Sequence, residues 1–340
     1  MAIRIGAGTI RLEKPVAIAA TAAVGSRMEK EGPLGAEFDR LVEDSSFGEK
    51  SWEKAETKMQ TLAIELALQK GNTTAEQVDV MLGGDLLNQC IASAYAVREQ
   101  GRPFLGLYGA CSTMAESLTL ASLLVESGAA RKALAVTSSH FCSSERQFRF
   151  PLEYGGQRPP TAQWTVTGAG AVILTAGGSG PFITHVTTGK IKDLGITDAN
   201  NMGAAMAPGA YDTLKAHFAD TGRGPGYYDA IFTGDLGVIG HQIVIDQFRK
   251  DGIELEGRYF DCGMLMFDRE KQDVHAGGSG CGCAAATLCG YVLPRLQSGV
   301  WNRVLFAATG ALMSPTSSQQ GQSIPGICHA VAIETAIPAV

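Results

Sequence analysis

The chain is short of several things, and each shortage excludes something. Basic residues do not dominate: 28 Lys and Arg face 34 Asp and Glu, a net charge of −6. That argues against nucleic acid, whose binders need a basic footprint, although one local site could still hold a small anion. Charged residues are only 18% of the chain and apolar ones 45%, so a large core can form and disorder is not expected. Aromatic residues are scarce at 7%, while the 42 glycines point to tight turns and closely packed helices. No window of 18 apolar residues occurs, so no transmembrane span is read. No low-complexity stretch or linker divides the chain, and one compact unit is expected.

What is present is a repeat. Copy one reads Val78-Asp79-Val80-Met81-Leu82-Gly83-Gly84-Asp85-Leu86, then Gly109-Ala110-Cys111-Ser112, a small-residue helix, and Glu126-Ser127-Gly128. Copy two reads Tyr228-Asp229-Ala230-Ile231-Phe232-Thr233-Gly234-Asp235-Leu236, then Gly280-Cys281-Gly282-Cys283, a similar helix, and Gln297-Ser298-Gly299. Asp85 and Asp235 lie 150 residues apart and Gly128 and Gly299 171 apart, so the second copy carries a 21-residue insertion. So long a period means two α/β halves rather than a solenoid. Residues 1–180 and 181–340 are taken as the two halves.

The pattern predicts a helix over Trp52–Lys70, ended by Gly71-Asn72, and a buried strand over Val78–Leu82. Helices are also expected over Ile91–Gln100, Thr113–Ser127, Met202–Phe218, Ile239–Asp251 and Leu288–Leu296. Strands are expected over Ala133–Ser138, Val304–Ala308 and Gly326–Glu334, and Thr167–Ala171 reads as a glycine turn feeding one more. Val16–Val24, after Arg4 and Arg11, faintly resembles a signal peptide, but Glu13 and Lys14 interrupt it, and a sheet strand is the preferred reading. The eight cysteines have no secreted-framework spacing and are read as free thiols.

Cys111 opens the small-residue helix, where unpaired N–H groups and the positive dipole end favour a thiolate. That is a nucleophile's position, and equally a place for a small thiol packing two helices. Cys281-Gly282-Cys283 with Cys289 is too closely spaced for a zinc pair, so no metal is assigned and tight helix packing is the reading. Arg146, Arg149 and Arg158 flank a proline-rich loop and could fork a dicarboxylate or simply face solvent.

The Gly-Ala-Cys-Ser motif and Thr167-Gly168-Ala169-Gly170-Ala171 resemble the acyl-accepting cysteine and glycine turn of the thiolase-like superfamily, the thiolases and β-ketoacyl synthases. More specifically, Phe150–Trp164 and Ala308–Thr316 resemble the stage V sporulation protein AD family of spore-forming bacteria. The resemblance implies a thiolase-like α/β/α/β/α layered sandwich, a homodimer, and no cofactor. It implies binding of dipicolinic acid or its calcium chelate, alongside other proteins of a sporulation membrane channel complex at the forespore inner membrane.

The departures from the catalytic pattern favour binding over catalysis. Where condensing enzymes carry a histidine, this chain has Thr233-Gly234-Asp235; where they carry an asparagine or histidine, it has Ser279, Cys281 and Cys283. The thiolases' second cysteine would fall near Ala308. Cys111, Asp85, Ser279 and His329 are therefore expected to contact ligand, with His241 a weaker candidate and Asp235 a turn cap. An acyltransferase using Cys111 and a purely structural subunit remain the alternatives.

Overall fold

The computed structural model describes residues 2–148, 157–255 and 257–337. The first half runs β1 (Ile3–Ile5), β2 (Thr9–Ser26), α1 (Arg27–Lys30), β3 (Arg40–Val42), α2 (Trp52–Lys70), β4 (Val80–Gly84), α3 (Ile91–Gln100), β5 (Phe104–Gly106), α4 (Thr113–Glu126), β6 (Lys132–Ser139), α5 (Phe141–Phe148), β7 (Trp164–Thr165) and β8 (Gly168–Ala176). The second runs β9 (Phe182–Thr188), α6 (Met202–Thr221), β10 (Ala230–Thr233), α7 (Gly237–Lys250), β11 (Tyr259–Asp261), α8 (Cys262–Met266), β12 (Gly278–Ser279), α9 (Cys281–Thr287), α10 (Leu293–Gln297), β13 (Arg303–Ala311), α11 (Pro315–Gln319) and β14 (Gly326–Glu334).

The repeat becomes a pseudo-twofold. Strand order is β5-β4-β6-β8-β2 in the first half and β11-β10-β13-β14-β9 in the second, and β2 pairs with β9 to join the two. In each half the first three strands are parallel, and the fourth is antiparallel to its neighbours. Helices α2 and α3 cover one outer face, α6 and α7 the other, and α4 and α9 lie between the sheets. This is the layered α/β/α/β/α arrangement. The central helices are built from Ala, Ser, Gly and Cys because both their sides face sheet, and α9 is buried at every position.

Most elements fall where the pattern places them, within a residue or two. The Val16–Val24 run is the middle of β2, a fully formed sheet strand. One reading is corrected. Thr167–Ala171 is not a turn feeding a strand: Gly168 and Gly170 lie inside β8. A Cβ on Gly170 would stand 2.5 Å from the Ala285 carbonyl oxygen, so the glycine is there to let α9 approach the sheet. The same demand explains Gly282, whose Cβ would meet the Gly168 carbonyl at 2.2 Å. All eight cysteines are free, and Cys281, Cys283 and Cys289 are wholly buried.

Candidate functional site

Cys111 sits in the single turn Ala110–Ser112 that leads into α4. The turn is forced: Ala110 adopts the left-handed region, with φ 49°, although it is not glycine. Local bonds hold it. The Thr113 hydroxyl donates to the Ala110 carbonyl at 2.6 Å, and the Ser112 hydroxyl to the Gly109 carbonyl at 2.7 Å. The other half presses against it. A Cβ on Gly310 of β13 would lie 2.4 Å from the Gly109 oxygen, so only glycine permits the contact.

That contact brings Asp235, just past β10, to the cysteine. Its wholly buried carboxylate accepts from the Gly280 N–H at 2.8 Å, the Thr309 hydroxyl at 2.9 Å and the Ser279 hydroxyl at 3.2 Å. The Cys111 thiol is a fourth donor. Burial pushes the Asp235 carboxyl above its ordinary value, against the opposing pull of these donors.

A small cleft opens at this corner, with about 30 Å³ of free space, close to the volume of one water molecule. Its polar lining is Cys111, Ser144, Thr165 and Ser279. Its apolar walls are chiefly Leu86, Tyr108, Met202 and Met313. Ser279 and Thr165 meet because the two-residue strands β12 and β7 pair in parallel, Ser279 opposite Thr165. No lysine, arginine or histidine belongs to the lining among the described residues.

The structure thus brings Cys111 and Ser279 together and leaves two other expected residues outside. Asp85 is wholly buried and does not line the cleft. Its carboxylate accepts from the Leu87 N–H at 2.9 Å, and from the Ser93 N–H at 2.8 Å and hydroxyl at 2.6 Å, fixing the turn that carries Leu86. The expected roles of the two aspartates are exchanged: Asp85 caps its own turn and Asp235 faces the cysteine. His329, expected at the pocket, pairs across β14 with Ala308 and Thr188, and its Nδ1 accepts from the Gly189 N–H at 3.3 Å. Burial pulls its imidazole down to about 4, so it is neutral at physiological pH. His241 stacks on Tyr259 with ring centroids 4.4 Å apart.

The arginines are also elsewhere. Arg146 pairs with Glu53 at 3.4 Å, and Arg158 with Asp273 at 2.6 Å while lying over the Trp164 ring. Arg149 lies outside the described residues. Sequence reasoning missed Ser144, Thr165 and the apolar walls. A two-residue strand pair and a serine on a short helix leave no periodic signal.

Chemically, the corner offers a thiol and hydroxyl donors, with a carboxylate already fully engaged. A negative charge on the sulfur would stand against Asp235 rather than against a cation. Acyl transfer at a cysteine needs a base or proton path beside it, and the lining supplies no imidazole for one.

Residues 6–334 match the family described as Stage V sporulation protein AD. A curated relative of that name, from Bacillus subtilis (strain 168), is 46% identical over 331 residues, covering 97% of this chain and 98% of its own. The chain belongs to the stage V sporulation protein AD family. Among solved structures, 3-oxoacyl-[acyl-carrier-protein] synthase III from Aquifex aeolicus VF5 is 15% identical, with TM-score 0.55 over 94% of this chain and 99% of that one. A variant of OleA from Xanthomonas campestris is 14% identical, with TM-score 0.61 over 94% and 98%. At such identities the likeness is one of fold, and the fold is thiolase-like. The chain is thus a member of a sporulation family with a thiolase-like fold, and it carries Asp235 where a histidine of the condensing enzymes was expected.

Proposed function

We propose that the chain is a non-catalytic binding component for dipicolinic acid or its calcium chelate, within a spore membrane transport complex. The observation that carries the reading is the Cys111 corner. It keeps a cleft with convergent neutral donors, yet Asp235 takes the place where a proton relay would stand. A planar dicarboxylate is an acceptor-rich ligand, and the lining hydroxyls not already given to Asp235, those of Ser144, Thr165 and Tyr108, suit it. Asp85 takes part indirectly, by fixing the Leu86 wall.

The cleft must widen for such a ligand. Met202 and Met313, unbranched and adaptable, are the walls that swing away, as methionines do at adaptable surfaces. Among the described residues no helix is long and apolar enough to cross a membrane, so attachment to the spore inner membrane would run through partner proteins. We further propose a homodimer formed through the β5 edge. Leu105 is 46% exposed there and Tyr108 44%, an apolar edge of a kind that folded proteins cover.

The test is paired. Calorimetric titration with dipicolinate should give micromolar-range affinity, about 8 kcal/mol. Incubation with acetyl-CoA, malonyl-CoA and acetoacetyl-CoA, read by intact mass and thiol release, should show no turnover. A Cys111 acyl adduct that forms and is released would put the acyltransferase reading first.

A further inference from the structure

The hydroxyls around Cys111 are nearly all engaged. Ser138 and Ser143 donate to the Glu56 carboxylate at 3.0 and 2.7 Å, Ser139 to the Val166 carbonyl at 2.8 Å, and Ser279 and Thr309 to Asp235. The hydroxyls of Thr165 and Tyr108, which also line the cleft, have solvent to turn to; Ser144 has none. It is 2% exposed, it lines the same cleft as Cys111, and its Oγ has no hydrogen-bond partner among the described residues.

A buried hydroxyl without a partner has lost its water and gained nothing in return, so it calls for an explanation. The backbone around it is well held. The Ser144 N–H donates to the His140 carbonyl at 3.0 Å, and the adjacent Ser143 is tied to Glu56, so α5 presents Ser144 from a fixed frame. Fixed support behind an unsatisfied donor is the arrangement of a preorganised binding group.

We propose that Ser144 is a ligand-recognition residue, its hydroxyl held ready for an acceptor oxygen of the small molecule that binds beside Cys111. The inference rests on the binding reading above and adds to it which side chain reads the ligand. With no cation in the lining among the described residues, recognition runs through neutral donors, and Ser144 is the one of them whose Oγ is itself buried without a partner among the described residues. A carboxylate oxygen is the fitting acceptor, because it takes a hydroxyl donor without needing one in return.

The experiment compares wild type, Ser144→Ala and Ser144→Cys by calorimetric titration with dipicolinate and by thermal melting. Alanine removes the donor; cysteine is close in shape and donates weakly. The expected result is affinity falling about 5–20-fold in the alanine variant and by less in the cysteine variant, with melting temperature unchanged or raised in both. Unchanged affinity in Ser144→Ala would overturn the proposal. So would a drop in melting temperature that tracks the loss of binding, since that marks a structural role. If wild type itself gives no heat with dipicolinate, the binding reading fails and this proposal falls with it. Binding by wild type and by Ser144→Ala alike would sink this proposal alone.

Discussion

Two turns of the molecule begin as the same sequence and end in different work. After β4, Asp85 bends back on its own turn and bonds the Leu87 and Ser93 N–H groups. After β10, the Gly237 N–H, the match of Leu87, is already taken: it donates to Asp261 at 3.0 Å, and the neighbouring Leu236 N–H donates to the same carboxylate at 2.9 Å. Asp261 stands opposite Thr233 in the β10–β11 register, where the first half has Gly106 opposite Gly83. A glycine has no carboxylate, so Asp85 must cap its turn itself. The aspartate in the longer second copy relieves Asp235 of that duty and lets it face Gly280 and Cys111.

The cysteines diverge in parallel. Cys111 lines the cleft, whereas Cys281 is wholly buried and its thiol donates to the Ser138 carbonyl at 2.9 Å. Burial pushes the Cys281 thiol well above its ordinary value. A duplication supplies two equivalent corners, and one residue on a neighbouring strand decides which aspartate turns away from its own turn.

The hardest way to break the comparison is to make the second corner like the first. Asp261→Gly removes the cap from Leu236 and Gly237 and takes an acceptor from the Thr233 hydroxyl, which donates to Asp261 at 2.8 Å. The Met264 N–H, which Asp261 caps at the start of α8, loses its acceptor too, while the Thr233 hydroxyl keeps the Phe260 carbonyl; the expected loss is roughly 3–5 kcal/mol of unfolding free energy in urea. Asp235 should turn back to the vacated N–H groups, and dipicolinate binding should vanish. A variant that keeps wild-type affinity would show that Asp235 does not depend on Asp261.

The buried acids give the next largest effect. Burial raises Glu29 and Asp261 to about 7 and Glu56 to about 8. Their folded values exceed their unfolded ones, so the folded state binds more protons. The stability these three acids contribute is therefore full below about pH 4 and is lost as pH rises to about 8, by roughly 1.4 kcal/mol per unit for each group titrating. The buried histidines His185, His241 and His329, pulled down to about 4, act in the opposite direction below about pH 6.5. Thermal melting from pH 6.5 to 8 should show the fall. Glu56→Gln, which imitates the protonated acid beside Ser138 and Ser143, should flatten the part between pH 7 and 8 while leaving the part due to Asp261. A melting temperature that rises from pH 6.5 to 8 would refute the assignment.

The smallest effect is kinetic and distinguishes the cysteines directly. Limited alkylation with peptide mapping should label half-exposed Cys142 and cleft-lining Cys111, and leave Cys281 unmodified. Dipicolinate should slow the labelling of Cys111 and not that of Cys142. Labelling of Cys281 before Cys111 would mean that the other copy carries the site.

Much of this was legible in the chain. Continuous apolar runs marked the central strands, and Ala-Ser-Gly helices with a cysteine at each start marked the inner layer. Cys111 and Ser279 were legible through motif position. The exchange between Asp85 and Asp235 was not, because it turns on the β10–β11 register and on which residue faces Thr233. Nor was Ser144, whose importance lies in what its hydroxyl lacks rather than in its spacing. His329 misled because a strand residue's direction depends on pairing partners that a single sequence does not name.

The central claim is that the Cys111–Asp235 corner binds rather than reacts. Its most direct test is titration of dipicolinate into wild-type protein and into protein whose Cys111 has been blocked by methylthiolation, confirmed by intact mass. Micromolar-range binding to the first and none measurable in the second are expected, with both melting cooperatively. Equal affinity in the two proteins would contradict it and move the ligand away from Cys111.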